Sequence, residues 1–220
     1  MAERDWYAWH APYEDPNSGL SQRLAWVQDR VRAALDAAPP GPLRTISLCA
    51  GHGRDLIGPL SRHPRRGDVT ARLVELDPRN AEVAGRLAAE AGLENVEVVI
   101  GDAALTSLYA DLVPADLVLV CGVFGNITNA GIERMTGYCT QLCATGGTVI
   151  WTRGRWAPDL VPQVCAWFEE RGFEREWLSS AGGLQCVGAH RFTGVPAPLE
   201  RDVVMFRFND HDVRSGPDRG

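Results

Sequence analysis

Short apolar runs alternate with segments of helical pattern along most of the chain, and this alternation limits the fold more than any single motif. The apolar runs are rich in β-branched residues and occupy 44–48, 70–75, 96–100, 115–121 and 147–152. The segments between them have helical character and occupy 54–62, 78–92, 103–110 and 129–144. Strands that alternate with helices pair in parallel, with helices on both faces of the sheet. The sequence therefore predicts an α/β fold around a mostly parallel sheet.

The two ends of the chain have a different character. Apolar residues recur at helical spacing over 17–38, which predicts one amphipathic helix that the sequence Pro-Pro-Gly-Pro at 39–42 ends. A further helix is expected at 158–171. Three strand-like runs follow at 173–178, 185–192 and 203–208. No helix long enough for a parallel crossover separates these runs, so they predict an antiparallel hairpin at the edge of the sheet, with either of the last two as its final strand.

This pattern divides the 220 residues into three parts. Residues 1–42 form an aromatic segment and the amphipathic helix, 43–210 form the α/β domain, and 211–220 form a flexible tail. Hydrophobic residues make up 45% of the chain, which is enough for a sizeable core in one domain.

Composition excludes several classes of function. No apolar run approaches the roughly 18 residues of a membrane helix, and the first residues lack the pattern of a secretory signal, so we expect a soluble, cytoplasmic protein with no membrane partner. The formal net charge of −6 argues against nucleic acid as a partner. All 22 basic residues are arginine, so neither a Schiff-base lysine nor a Walker-type phosphate lysine exists.

The cysteines indicate reduced thiols in the core. The chain has six: Cys49, Cys121, Cys139, Cys143, Cys165 and Cys186. No Cys-x-x-Cys pair occurs, and most stand among apolar neighbours. Cys139 and Cys143 share a helix face at metal-ligand spacing, but small core residues are the preferred interpretation, and we expect no metal.

The residues that follow the strands carry the functional signal, because ligands of open α/β sheets bind beyond the carboxyl ends of the strands. Glycines stand in the turn 49–53 after the first run, and the acids Glu75 and Asp102 follow the second and third. Glycines let the backbone approach a ligand closely. An acid after the second strand accepts hydrogen bonds from ribose hydroxyls and repels phosphate, and Asp102 can accept one from the adenine amino group. The set describes a pocket for an adenosine without phosphate.

Over residues 43–210 the chain resembles the class I S-adenosylmethionine-dependent methyltransferases. "SLCAGHG" lies over the glycine loop of that family, "VELDP" over its acid motif, "GDA" over its adenine contact and "ADLVLVCGVFGNI" over its fourth-strand motif. Two positions depart from the family pattern, because Ser47 replaces the acid that opens the loop and Cys49 replaces its first glycine. The resemblance implies a three-layer, Rossmann-like fold with a seven-stranded sheet, mostly parallel, and an antiparallel C-terminal hairpin.

The resemblance also implies a set of cofactor contacts. Backbone groups of Cys49, Ala50 and Gly51 would face the methionine end of the cofactor, Glu75 the ribose and Asp102 the adenine. The remaining cofactor-binding residues would be Gly53, Asp55, Leu76, Ala103, Cys121, Gly122 and Val123. Asp55 has the alternative role of compensating a helix dipole, and Asp77 is explained as the cap of the helix that begins at Pro78.

Candidates on the acceptor side are fewer. His10 is the expected base if the acceptor must lose a proton, and Tyr13 and His190 are weaker candidates. The aromatic segment of Trp6, Trp9, His10 and Tyr13 either covers the substrate as a lid or only packs the first helix onto the sheet. We expect Trp9, Phe124, Asn126 and Arg153 to contact the substrate, Arg153 through a carboxylate. His52 is interpreted as a surface or supporting residue.

The sequence favours a small molecule as the methyl acceptor, at oxygen, nitrogen or sulfur. The Asn/Asp-Pro-Pro-Tyr/Phe motif of many nucleic-acid methyltransferases is replaced by "CGVF", and the carboxylate cluster of the metal-dependent catechol type is absent. Two alternatives stay open: a protein of this fold that binds S-adenosylmethionine without catalysis, and an NAD-dependent oxidoreductase. The Gly-x-Gly-x-x-Gly fingerprint of such oxidoreductases requires a third glycine at the position where this chain has Leu56. A homodimer is left open.

Overall fold

The computed structural model describes residues 5–180 and 183–209. The tail expected at 211–220 lies outside the described residues. Seven strands form one sheet: β1 (Leu43–Leu48), β2 (Val69–Glu75), β3 (Val96–Ile100), β4 (Ala115–Val120), β5 (Cys143–Gly154), β6 (Phe173–Leu178) and β7 (Gln185–Phe192). Five α-helices accompany them: α1 (Gly19–Ala37), α2 (Arg54–Leu60), α3 (Pro78–Glu90), α4 (Asn129–Leu142) and α5 (Val161–Glu169). Short 3₁₀ helices occupy Ala8–Glu14 and Thr106–Tyr109.

The sheet has the order β3-β2-β1-β4-β5-β7-β6, with β7 antiparallel to both of its neighbours and all other pairs parallel. This confirms the mostly parallel seven-stranded sheet and its antiparallel C-terminal hairpin. The chain leaves β1 toward one edge and returns on the other side with β4. The carboxyl ends of β1 and β4 therefore flank the switch point at which such sheets bind ligands.

Helices cover both faces of the sheet, as the alternation of strands and helices predicts. One face packs against α1, α2 and α3 through residues such as Val31, Leu56 and Leu73. The other packs against α4 and α5 around Trp151 and Phe168. Apolar side chains on both faces of the central strands explain their nearly continuous apolar sequences.

Local signals explain where several helices begin. The Ser18 hydroxyl accepts a hydrogen bond from Ser21 N at 3.0 Å and caps α1. Asp77 caps α3 through Arg79 N at 3.0 Å and Pro78 occupies the first turn, as the sequence predicts. The last expected helix begins at Val161 and not at 158, because the Asp159 carboxylate accepts from Val161 N.

Two expected elements are wrong. The segment 103–110 contains only the 3₁₀ turn Thr106–Tyr109, and 203–208 is not a strand of the sheet. The two segments pair with each other instead, through an antiparallel bridge between Leu105 and Val204 and hydrogen bonds such as Met205 N to Ala104 O at 2.9 Å. Backbone groups engaged in this pairing cannot continue a helix. The run 185–192 forms β7, which is the last strand of the sheet, so it is the final strand of the hairpin and 203–208 is not.

His190 belongs to the core and not to a site. Its side chain is fully buried on β7, its Nδ1 accepts from Trp151 Nε1 at 3.1 Å, and its ring stacks on Phe168. Burial lowers the pKa of the imidazole to about 3, with the positive charge of Arg175 a second cause. His190, a weaker candidate for the base, is therefore a structural residue.

The pKa of His190 predicts a loss of stability in acid. A neutral imidazole in the fold and a pKa near 6.5 in the unfolded chain mean that the unfolded state binds more protons below about pH 6.5. Acidification from about pH 7.5 to about pH 5 should therefore cost about 2 kcal/mol through this residue. In urea denaturation, His190→Phe should be less stable at pH 7.5 but should lose about 2 kcal/mol less than wild type on acidification. Equal losses in both proteins would contradict the assignment.

Candidate functional site

A cavity of about 1010 Å³ opens at the carboxyl ends of β1, β2 and β4. The structure brings most of the predicted residues to its wall: Trp9, His10, Tyr13, Cys49, Ala50, Gly51, Asp55, Glu75, Leu76, Asp102, Ala103, Cys121, Gly122 and Asn126. The strand-end residues among them, from Cys49 to Asn126, lie up to 77 positions apart along the chain and meet here because parallel strands end at one edge of the sheet.

The turn after β1 has a left-handed backbone at three positions: Cys49 (φ 51°), Gly51 (φ 55°) and Gly53 (φ 68°). Cys49 thus adopts a conformation that suits the glycine it replaces, at a cost of about 1–2 kcal/mol for a residue with a Cβ. The turn is fixed to β2, since Ala50 N donates to Val74 O at 3.0 Å. Burial raises the pKa of the Cys49 thiol, which keeps it protonated.

Glu75 connects this turn to the end of β2. Its Oε2 accepts from Gly51 N at 2.8 Å, its Oε1 accepts from Asp77 N at 3.0 Å, and the side chain is 7% exposed. The Asn80 amide also donates to Oε1, at 3.4 Å, so of about four lone-pair positions on the carboxylate one is left, on Oε2. Glu75 thus shapes the turn and lines the cavity.

Asp102 begins the turn after β3. Its Oδ1 accepts from Ala104 N at 3.0 Å, while the side chain is exposed along the cavity wall. The buried Tyr109 hydroxyl donates to Ala103 O at 2.9 Å and supports this turn from below. Asp102 therefore combines a capping role with a carboxylate oxygen that faces the cavity.

The end of β4 forms the next part of the wall. Gly122 has a φ of 78°, and its N–H donates to the Thr152 hydroxyl at 2.8 Å. The Asn126 amide donates to Gly122 O at 2.6 Å and holds the turn in place. Cys121, which is 7% exposed, presents a small apolar surface to the cavity.

Four predicted residues do not line the cavity. Phe124 and Val123 are fully buried, and Phe124 packs against Trp151 and Phe168 on the face that carries α5. The Arg153 guanidinium donates to Phe124 O and supports the β4 turn from behind. Gly53 packs on the core, because a Cβ there would lie 2.7 Å from Ile57 and Leu73 atoms.

The N-terminal segment lies against the cavity. Trp6, Trp9, His10 and Tyr13 line it, and Trp6 contacts Phe208 with ring centroids 5.6 Å apart. Two ion pairs tie the segment to the domain: Arg54 to Glu14 at 2.6 Å, and Arg79 to Asp5 at 2.8 Å. The segment therefore contacts the site directly, whereas packing of α1 onto the sheet is carried by Val27, Val31 and Leu35.

His10 is held in a defined tautomer. Its Nδ1 lies 2.8 Å from Trp6 O, and because a carbonyl only accepts, Nδ1 carries the proton and Nε2 the lone pair. Burial lowers the pKa of this imidazole, so it is neutral at physiological pH. A Cβ on Gly51 would lie 2.3 Å from Nε2, which shows that the missing side chain of Gly51 makes room for His10.

His52 is closer to the site than the sequence interpretation placed it. It is 9% exposed, lines the cavity and stacks on His10 with ring centroids 4.1 Å apart. Burial lowers its pKa to about 4, and the neighbouring His10 contributes to this shift. The two rings form a neutral stack beside the glycine turn.

Tyr13 and Asp55 lie near a charged residue that the sequence interpretation missed. Arg23 of α1 donates through Nη2 to the Tyr13 hydroxyl at 2.5 Å. Burial raises the pKa of Tyr13 to about 12, so the phenol stays protonated at neutral pH and is unsuited to act as a base. Burial also raises the pKa of the Asp55 carboxyl, and the positive charge of Arg23 opposes that rise.

The wall residues that sequence reasoning missed include Arg23 and a C-terminal group. Arg23 had a signal, since it stands four residues before Val27 on the buried face of the helix, where an arginine is unusual. The C-terminal residues Val204, Phe206, Arg207 and Phe208 also line the cavity. Their strand-like alternation suggested the sheet, and no local signal shows that they pair with the turn after β3.

Within the described ranges, no three His, Cys, Asp or Glu side chains converge as metal ligands would. The six cysteines are free thiols. Of the helices in the described part of the chain, none combines the length and apolar character that a membrane crossing requires.

Residues 17–172 match the family model Methyltransf_20, described as "Putative methyltransferase". The chain belongs to this methyltransferase family. The match covers α1, the strands from β1 to β5 and the turns after β1, β2, β3 and β4 that line the cavity. A search of curated proteins by sequence finds no match.

Solved structures of methyltransferases share the fold. An O-methyltransferase family protein from Burkholderia thailandensis superposes with a TM-score of 0.61 at 19% identity over 79% of this chain and 56% of that one. An O-methyltransferase family 2 protein from Planctomyces limnophilus, in complex with apigenin, gives 0.57 at 16% over 78% of this chain and 59% of that one. An RNA methyltransferase from Salinibacter ruber, in complex with S-adenosyl-L-homocysteine, gives 0.50 at 20% over 80% and 96%. This chain thus spans less than two thirds of both O-methyltransferases.

The contact between Gly51 and His10 can be tested by a double-mutant cycle. Gly51→Ala should destabilise the protein, because the new methyl group meets His10 Nε2 in addition to the strain of a left-handed backbone. In a His10→Ala background the same change should cost about 1 kcal/mol less, as measured by urea denaturation.

Gly146→Ala is the matched control, since Gly146 also has a positive φ of 82° but open space where its Cβ would be. Its cost should be the backbone strain alone and should not depend on His10. Additivity of Gly51→Ala and His10→Ala would show that the N-terminal segment does not rest on the turn.

Proposed function

We propose that this enzyme transfers the methyl group of S-adenosylmethionine to an oxygen, nitrogen or sulfur atom of a small molecule, with S-adenosylhomocysteine as product. The observation that carries the proposal is that Glu75 and Asp102, which follow two adjacent strands, both line one cavity. Two carboxylates repel the phosphates of a dinucleotide or a nucleoside triphosphate. They accept hydrogen bonds from the hydroxyl and amino groups of an adenosine that lacks phosphate.

The residues present fit the cofactor. The acceptor capacity left on Glu75 suits the ribose hydroxyls, and the open carboxylate oxygen of Asp102 suits the adenine amino group. The backbone of Cys49, Ala50 and Gly51 would hold the methionine portion, and Cys121 and Gly122 would line the space for the transferred group. S-adenosylmethionine supplies a methyl group activated by a positively charged sulfur, so the chain itself must mainly position the acceptor and exclude water.

His10 is the base that the geometry favours. Its Nδ1–H is committed to Trp6 O, its Nε2 carries a lone pair at the cavity wall, and its lowered pKa keeps the ring neutral. Such a group removes a proton from an oxygen, nitrogen or sulfur acceptor as the bond to carbon forms. Tyr13, with its raised pKa, supports the site as a hydrogen-bond partner of Arg23.

The walls of the cavity support a small acceptor. Trp6 and Trp9 enclose it on one side and Phe206 and Phe208 on another, and its volume is at the upper end of the range for a single ligand site, which leaves room for cofactor and acceptor together. The apigenin complex of the Planctomyces limnophilus protein shows a planar small molecule on a related fold.

Charge argues against nucleic acid as the acceptor. Arg54 and Arg79, which line the cavity, are paired with acids of the chain, and the net charge is −6, so both observations argue against the attraction of a phosphate backbone. The free thiols suit a reducing compartment, and we place the enzyme in the cytoplasm on that basis.

The adenosine contacts can be tested by calorimetry with S-adenosylhomocysteine. Glu75→Gln and Asp102→Ala should each weaken binding by roughly 1–3 kcal/mol through a lost hydrogen bond. An inosine analogue, which lacks the amino group, should bind wild type and Asp102→Ala alike. Glu97→Gln is a control, since Glu97 pairs with Arg72 outside the cavity. Unchanged affinity in both site variants would remove the two acids from the site.

The role of His10 can be tested by turnover. His10→Gln should lower the rate of methyl transfer by roughly 10²- to 10⁴-fold, the usual contribution of a general base, while affinity for S-adenosylhomocysteine stays similar. The assay follows labelled methyl transfer from S-adenosylmethionine to a panel of phenols, amines and thiols. His63→Gln, a buried histidine paired with Asp36 away from the cavity, should keep wild-type turnover. Full activity of His10→Gln would exclude His10 as the base.

A further inference from the structure

His52 is a buried polar residue whose two ring nitrogens are unused. It is 9% exposed, and within residues 5–180 and 183–209 neither Nδ1 nor Nε2 has a hydrogen-bond partner. Both nitrogens are buried, so they do not face the cavity as the nitrogen of a base or of a ligand-binding histidine would. Burial of polar atoms without partners is unfavourable, so His52 calls for another explanation.

The ring of His52 makes its main contact through one face. The ring of His10 lies against it, with centroids 4.1 Å apart and planes at 18°. The ring of Tyr7 lies farther away, at 5.9 Å and 59°. His10 therefore has a nearly parallel aromatic face against its own ring, while its Nδ1 is committed to Trp6 O and Gly51 leaves space at its Nε2.

Charges around the two rings decide which of them can hold a proton. They come from the N-terminal segment, α2 and the end of β2: Glu14, Arg54, Asp55, Glu75 and Asp77. Burial lowers the pKa of His10, the acids Glu75 and Asp55 oppose this shift, and Arg54 adds to it. Burial also lowers the pKa of His52 to about 4, with the charges of His10 and Arg54 as further causes. His52 therefore stays neutral at physiological pH, and the face of a neutral aromatic ring attracts a cation.

We propose that His52 is a positioning residue for the base: its ring holds the His10 ring against Gly51, and its neutral face stabilises the positive charge that His10 gains during methyl transfer. The inference rests on the proposed function, which makes His10 the base.

The proton balance of the step shows where this charge arises. The O–H, N–H or S–H bond of the acceptor breaks and its proton moves to His10 Nε2, while an electron pair of the acceptor atom forms the bond to the methyl carbon. The bond from the methyl carbon to sulfur breaks, and its electron pair stays on sulfur. His10 thus becomes a cation beside His52, which itself forms and breaks no bond.

The first arm of the test measures the protonation of His10 by NMR in the protein without ligand. The imidazole C–H signals of His10, assigned through their loss in His10→Gln, are followed against pH. The protonation constant should be roughly 3- to 30-fold lower in His52→Leu than in wild type, because leucine is apolar but has no aromatic face. His52→Phe keeps such a face and should remain close to wild type. His63→Leu, the same change at a buried histidine outside the cavity, is the matched control and should not alter His10.

The second arm measures turnover with a phenol, amine or thiol that wild type methylates. His52→Leu should lower kcat by roughly 3- to 30-fold and leave KM and the affinity for S-adenosylhomocysteine close to wild type. A base acts only when it is unprotonated, so activity falls as the pH drops below its pKa. A lower pKa of His10 in His52→Leu should therefore move this acid limb of the rate profile to lower pH. His52→Phe should keep both the rate and the position of the limb.

The comparison of His52→Phe with His52→Leu separates stabilisation by the ring face from packing alone, since neither new side chain titrates. Losses in His52→Leu together with wild-type behaviour of His52→Phe support the inference. An unchanged protonation constant in His52→Leu, or equal losses in both variants, overturns it. If His52→Leu does not fold, His52→Met takes its place. Full activity of His10→Gln would refute the base in the proposed function, and the NMR arm would still show whether the stack itself stabilises a charge on His10.

Discussion

The hydrogen bond from Gly51 N to the Glu75 carboxylate is the contact on which the site depends. It joins the turn after β1 to the end of β2 at 2.8 Å, and it fixes a backbone with left-handed residues on both sides of Ala50. That turn sets the floor of the cavity, begins α2 and leaves space against Gly51 for His10. The same carboxylate lines the cavity, so the side chain that fixes the turn also forms part of the wall.

The central domain could be predicted from the sequence because its signals are local and repeated. Alternating strands and helices, Asp77 before Pro78, and acids after the second and third strands each report on their own surroundings. Parallel pairing then brings the strand ends together, which is why Glu75 and Asp102 reach one cavity without any contact being known in advance.

What escaped prediction depends on contacts between distant segments. Residues 203–208 alternate like a strand, but their partner is the turn after β3 and not the sheet. Phe124 follows β4 beside the site, yet its ring completes the aromatic core with Trp151 and Phe168. Arg23 stands on the buried face of its helix, and its contact with Tyr13 at the cavity wall appears only once the N-terminal segment is placed.

The N-terminal segment adds side chains to a cavity that is otherwise lined mainly by the residues after the strands. It contributes two tryptophans and His10 to the wall, and ion pairs at Glu14 and Asp5 hold it in place. Together with Phe206 and Phe208, these rings give the cavity an aromatic lining.

A crystal structure of the protein with S-adenosylhomocysteine tests the central claim most directly. The account predicts the ribose hydroxyls within hydrogen-bond distance of the Glu75 carboxylate, the adenine amino group at Asp102, and the sulfur beside Cys121 and Gly122. Binding of the ligand elsewhere, or with its adenosine away from both acids, would contradict it.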